Sequence, residues 1–99
     1  MLTLDFNVSA TLWKWSGGGW HFLTLPPDTA ADIRAFAAAN ASALGTVRVV
    51  ARVGSTEWQT SLYPSREHGS FLLPVKAAVR RAENLEAGAE VSVALEVFI

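Results

Sequence analysis

The sequence predicts a mainly β domain, a closed six-stranded small barrel with two helices added to it. Three patterns carry that prediction. Residues 2–12 alternate apolar and polar, and residues 46–62 read as one hairpin with a two-residue turn. Residues 71–97 read as a strand, a proline, a two-turn helix, a glycine turn and a long alternating strand, which sets a helix as a wedge against a barrel.

Leu2, Leu4, Phe6, Val8, Ala10 and Leu12 alternate with Thr3, Asp5, Asn7, Ser9 and Thr11. A period of two over this length is a half-buried strand, because successive side chains point to opposite faces. Ser16-Gly17-Gly18-Gly19 breaks it with a flexible turn, and Trp20 to Leu25 runs back as a second strand. Pro26-Pro27 ends that strand, since proline has no N–H for the ladder. Thr29 followed by Asp32 predicts a helix start. Ile33, Phe36, Ala37 and Asn40 then recur at helical spacing on an alanine-rich segment, and Gly45 supplies the stop.

Thr46 to Val53 and Thr56 to Leu62 flank Gly54-Ser55, a two-residue turn with glycine first. That turn fixes the register. Arg52 falls opposite Glu57, Ala51 opposite Trp58, and Val47 opposite Leu62. One face is then Val47, Val49, Ala51, Val53, Trp58, Thr60 and Leu62, which is core, and the other is mostly polar. Tyr63 to Gly69 reads as a polar loop and Phe71 to Leu73 as a short strand. Val75, Val79 and Ala82 line one side of the following helix, with Lys76, Arg80 and Glu83 on another. The last strand buries Val91, Val93, Leu95, Val97 and Ile99.

At 99 residues the chain reads as one domain over 1–99, and 51% hydrophobic residues are ample for a core. A net charge of −1 gives no broad grip on nucleic acid or on an acidic membrane. The absence of cysteine removes disulfides, thiolate catalysis and cysteine-held zinc. The N-terminus has no basic region of a signal peptide, and no apolar run approaches the roughly 20 residues of a membrane span. The expectation is a soluble, cytoplasmic protein with no membrane partner.

Several short motifs occur together in order. They are Gly19-Trp20 before a strand ending Leu25-Pro26, and Thr60-Ser61-Leu62-Tyr63-Pro64 after the hairpin. Leu72-Leu73-Pro74-Val75-Lys76 follows, then Val79-Arg80, and Gly88 leads into Val91-Ser92-Val93. In that order they resemble the bacterial family called Domain of Unknown Function nineteen-oh-five over nearly the whole chain. The resemblance implies a closed six-stranded barrel with two short helices and no established reaction. Some relatives are joined to a second domain linked to bacteriocin protection; the resembling residues do not include it, so the resemblance brings no such role. Pro74 to Val93 is also similar to the proline, short helix, glycine turn and strand of swapped-hairpin regulators and antitoxins, which bind DNA as dimers.

Candidate sites follow from residue type. With Trp15 opposite Trp20 and Trp13 near Phe22, four aromatics share one nominally polar face. Such a face is a stacking platform, an interface, or a surface covered by a helix or turned inward. Lys76 and Arg80 lie one helical turn apart, with Arg81 beside them and Arg66 in the preceding loop, a set suited to a carboxylate or phosphate. The plain alternative is a solvated helix face, with Glu83 beside Arg80. Arg48 and Arg52 are weaker candidates. Ser61 is in no nucleophile-elbow context, and His21 and His68 lack the partner spacing of a helical metal site. No cofactor and no catalytic constellation is assembled from these motifs.

The expected function is non-catalytic binding of a small molecule or peptide at the barrel mouth, near Trp20, Trp58, Tyr63, Arg66, Lys76 and Arg80. One alternative is an antitoxin-like dimeric DNA-binding regulator, with steeply salt-dependent binding. Another is a structural or interaction module, monomer or homodimer, with the tryptophan face as its interface.

Overall fold

The computed structural model describes residues 2–37 and 45–98. Along the chain run β1 (Thr3–Thr11), β2 (Trp13–Lys14), β3 (His21–Thr24), α1 (Pro27–Ala37), β4 (Val47–Val53), β5 (Thr56–Ser65), β6 (Ser70–Pro74), α2 (Ala77–Glu83) and β7 (Glu90–Phe98). The strands join in the order β1-β7-β4-β5-β6-β3-β2, with every neighbour antiparallel. The end strands of that order, β1 and β2, are separated in the chain by Leu12 alone. The sheet therefore has to curl, and it forms an open half-barrel.

The expected closed barrel of six strands is corrected by this arrangement. The predicted first strand, residues 2–12, changes partner at Leu12. Before it, β1 pairs with β7; after it, β2 pairs with β3. Leu12 is fully buried. Its N–H donates to Ala89 O at 2.9 Å, and its carbonyl accepts from Gly88 N at 2.8 Å. The turn before β7 thus holds the point where the strand bends away. Two shorter strands result, and no ladder joins β1 to β2 among the described residues.

The β4–β5 hairpin takes the register its turn dictates, with Arg52↔Glu57, Ala51↔Trp58 and Val47↔Leu62 paired. Gly54 has φ +58° and Ser55 does not share a positive φ, which is the glycine-first turn that matches strand twist. The inner faces of this hairpin and of β7 make the centre of the core, including Val49, Ala51, Leu62, Val93, Leu95 and Val97. Leu23, Leu73 and Val75 join it from the other half of the sheet, and Ile33 and Val79 from the helices. β1 reaches this core only gradually: Leu2 is exposed, Leu4 and Phe6 half-buried, and Val8 buried.

Helix α1 begins at Pro27, two residues before the expected start. Proline suits the first helical position because the N–H it lacks has no helical partner there. Ala30 and Ile33 are buried, whereas Phe36 is exposed. Asn40 and any helix stop before Gly45 lie outside the described residues, as does Ile99. Helix α2 ends on Asn84 at φ 54°, with Leu85 N–H on Arg80 O at 2.8 Å and Asn84 N–H on Arg81 O at 3.4 Å, a Schellman cap. Only Val79 of this helix is buried. Ala82, expected beside it, is exposed, because a two-turn helix brings one position fully into the core. No helix among the described residues is long and apolar enough to cross a membrane.

The end of α2 clamps the hairpin turn. Glu83 Oε2 accepts a hydrogen bond from Thr56 Oγ1 at 2.6 Å. The same carboxylate lies so close over Gly54 that a Cβ there would collide with it. Gly54→Ala is therefore expected to lower stability in urea unfolding by about 1–3 kcal/mol, from the positive φ and the collision together. Adding Glu83→Ala should recover the collision part and leave the φ part. An unchanged urea midpoint for Gly54→Ala would contradict this turn.

Candidate functional site

The candidate site forms where β5 and β6 part company. They pair only through Tyr63↔Leu72, Pro64↔Phe71 and Ser65↔Ser70. In a two-residue hairpin the pair next to the turn is hydrogen-bonded, and every second pair after it. Trp58, Thr60 and Leu62 therefore bond to β4, while Gln59, Ser61, Tyr63 and Ser65 aim their N–H and C=O away from it. Tyr63 and Ser65 meet β6 on that side. The next residue of β6 in register with Ser61 is Pro74. On β6 the same alternation is fixed by Phe71 O accepting from Leu25 N and Val75 N donating to His21 O, both at 3.0 Å. Pro74 thus faces β5, and it has no N–H to give. The ladder stops, the chain leaves through Val75 and Lys76 into α2, and the Gln59 main chain faces a hollow.

That hollow has a volume of about 390 Å³. From β5 it is lined by Trp58 and Thr60, which belong to the inner face, and by Gln59 and Tyr63, which belong to the outer one. It therefore wraps the edge of the strand and does not lie on either face. Pro74, Val75, Lys76, Ala77 and Arg80 form the opposite wall, and Gly19, Trp20 and His21 one end. Trp58 is 6% exposed, and its Nε1 is buried without a hydrogen-bond partner among the described residues. Arg80 is half-buried and donates from Nη1 to Val75 O at 2.8 Å, so part of its guanidinium braces the start of α2. Lys76 is exposed at the rim. His21 Nδ1 lies 2.8 Å from Gly19 O, a hydrogen bond that requires the proton on Nδ1.

Five of the six residues singled out in the sequence, Trp20, Trp58, Tyr63, Lys76 and Arg80, line this one cleft. Arg66 does not. It sits exposed in the turn after β5, where its carbonyl accepts from Gly69 N at 3.2 Å. The expected loop over 63–69 is in fact strand as far as Ser65, and that extra length carries Arg66 to the far end. Pro64 is tolerated in the strand because its missing N–H would point toward the β4 side, beyond the last β4 pair at Val47↔Leu62. Sequence reasoning missed Gln59 and Pro74 as site residues; their roles appear only when the β5–β6 register is known. Among the described residues no group of three His, Asp or Glu side chains is placed to hold a metal ion.

A second hollow adjoins the first. Trp13 pairs with Phe22, and Trp15 N–H donates to Trp20 O at 2.8 Å, as the predicted hairpin requires. The Trp13 ring lies 5.2 Å from Phe22 and 4.9 Å from His68, and Trp20 stacks on Phe22 at 5.9 Å. Trp13 Nε1 donates to Thr24 Oγ1 at 2.9 Å. No described helix covers this shelf: Trp15 is 47%, Trp20 56% and Tyr63 44% exposed. Trp20 and Tyr63 border both the shelf and the cleft.

The family model described as Domain of unknown function (DUF1905) matches residues 9–95, a span that contains every residue of the cleft. No curated protein matches the chain.

The Trp15 indole rests on the backbone of Gly17, where a Cβ would run into its ring. Gly17→Ala is expected to dislodge that ring and shift the Trp15 indole signal in a nitrogen–proton NMR spectrum, leaving Trp58 in place. An unmoved Trp15 signal would mean the ring is not seated on the turn.

Proposed function

We propose that this chain, which belongs to the family Domain of unknown function (DUF1905), is a non-catalytic binding module that takes a small molecule or peptide into the cleft between β5 and α2. One observation carries the reading: a hollow opens at the edge of β5 between the aromatic side chains of Trp58, Trp20 and Tyr63 and the cationic ones of Lys76 and Arg80. Trp20 and Tyr63 add rigid amphipathic surface. The volume of about 390 Å³ falls within the range of ligand pockets, roughly 300–1,000 Å³.

The cleft is rich in donors and poor in bases. Among the described residues no Asp or Glu lines it, and the hydroxyls of Thr60 and Tyr63 have no carboxylate beside them to act as base. His21 donates from Nδ1 to Gly19 O, and among the described residues its ring makes no hydrogen bond to the Thr60 or Tyr63 hydroxyl. These features favour binding over group transfer. The DNA-binding alternative gains nothing from the outer sheet face, where Arg52 shares a hollow with Asp5, Glu57 and Glu96. A phosphate backbone would meet three carboxylates there. The exposed shelf favours a second reading, an interaction module that buries Trp15 and Trp20 against a protein partner. That reading predicts concentration-dependent self-association or no small ligand.

The test is titration of the labelled protein with pooled metabolites and short peptides, followed by the four indole nitrogen–proton signals. Saturable shifts at Trp58 and Trp20, with Trp13 unmoved, are expected. Tyr63→Ala combined with Lys76→Ala should weaken that binding about tenfold or more, since both side chains are exposed and their loss spares the core. A folded double variant with full affinity would contradict the cleft as the site.

A further inference from the structure

Resting on that binding reading, we infer that the ligand is an extended, acidic peptide segment that adds to the sheet as a short strand along the free edge of β5. The hollow occupies the place β6 would fill if its ladder continued past Pro74. Its lining alternates between inner-face residues, Trp58 and Thr60, and outer-face residues, Gln59 and Tyr63. A pocket for a compact ligand on a sheet face would draw from one parity only. A hollow that draws from both parities is shaped around a strand edge, and the partner that fits such an edge is another extended backbone. Gln59 offers both groups such a backbone needs, an N–H and a C=O aimed away from β4.

The charges choose the peptide. Lys76 and Arg80 stand on the wall facing β5, and among the described residues no carboxylate lines the cleft. An added strand therefore runs between the β5 edge and the wall that carries two cations, and its side chains project from both faces beside them. An acidic side chain is favoured there, and a basic one is repelled. Trp58, whose Nε1 is buried without a partner among the described residues, lines the same edge. Small Ala77 on the opposite wall leaves room for a backbone to approach.

The experiment uses two pools of pentapeptides, N-acetylated and C-amidated, randomised except for a central Glu in one pool and a central Lys in the other. The Glu pool should shift the Trp58 indole and the Gln59 amide together, and slow exchange of the Gln59 amide about tenfold or more. The Lys pool should bind roughly three- to tenfold more weakly. Lys76→Glu should reverse that preference. Gln59→Pro removes the cleft-facing N–H without touching a β4–β5 hydrogen bond, so it should keep the fold and lose the peptide. Should Gln59→Pro fail to fold, the pool preference and the Lys76→Glu reversal still decide the matter.

Shifts at Trp58 with an unmoved Gln59 amide would overturn strand addition and leave the cleft a binding site. Equal response to both pools would overturn the acidic partner. Silence with both peptide pools, while a metabolite pool saturates Trp58, would also overturn strand addition alone. Silence with every pool would overturn the binding reading with it.

Discussion

A missing hydrogen atom organises this molecule. Pro74 falls at the β6 position that faces β5, where a ladder needs an N–H, and proline has none. Had the ladder continued, β5 would be an interior strand along its whole length, and α2 would have to pack over a continuous sheet. Instead β5 and β6 separate beyond Tyr63 and Leu72. The chain turns out through Val75 into α2, and among the described residues the first half of β5 keeps one edge without a strand partner. The cleft, its mixed parity and the exposure of the Gln59 main chain are all consequences of that one residue.

The separation persists because each wall has anchors of its own and one contact ties the two together at a distance from the cleft. On one side the β4–β5 hairpin is fixed by its turn and by a face of buried side chains from Val47 to Leu62. On the other, α2 is anchored at both ends. Val79 enters the core, Arg80 braces Val75 O, and Glu83 reaches Thr56 across the hairpin turn. The Glu83 contact ties the helix to the far end of β5, so the helix neither swings onto the free edge nor drifts away. A cleft whose walls are both rigid keeps its shape without a ligand, which is the condition for binding at low ordering cost.

Legibility in the sequence followed the range of the determining interactions. The Gly54-Ser55 turn is local, and so the complete β4–β5 register could be read from it. The pairing of Trp13 with Phe22 followed likewise from the glycine turn between them. The open sheet could not be read, because it depends on Leu12 meeting Gly88 and Ala89, residues remote in the chain. Arg66 was misplaced for a similar reason: Tyr63 to Ser65 look like loop until β6 pairs with them. Residue type singles out Trp20, Trp58, Tyr63, Lys76 and Arg80 as candidates. Their convergence on one cleft reflects the wedge position of α2, which the proline, short helix and glycine turn did announce. Gln59 carried no signal, since its contribution is main chain and its side chain is ordinary.

The central claim is that Pro74 leaves the β5 edge open at Gln59. Amide hydrogen exchange of the unliganded protein tests it most directly, residue by residue along β5. The account predicts slow exchange at Trp58, Thr60 and Leu62, which bond to β4, and at Tyr63 and Ser65, which bond to β6. Gln59, between protected neighbours, should exchange fast. Equal protection at Gln59 and at Trp58 and Thr60 would mean that the edge is already paired, and the cleft as described would not exist.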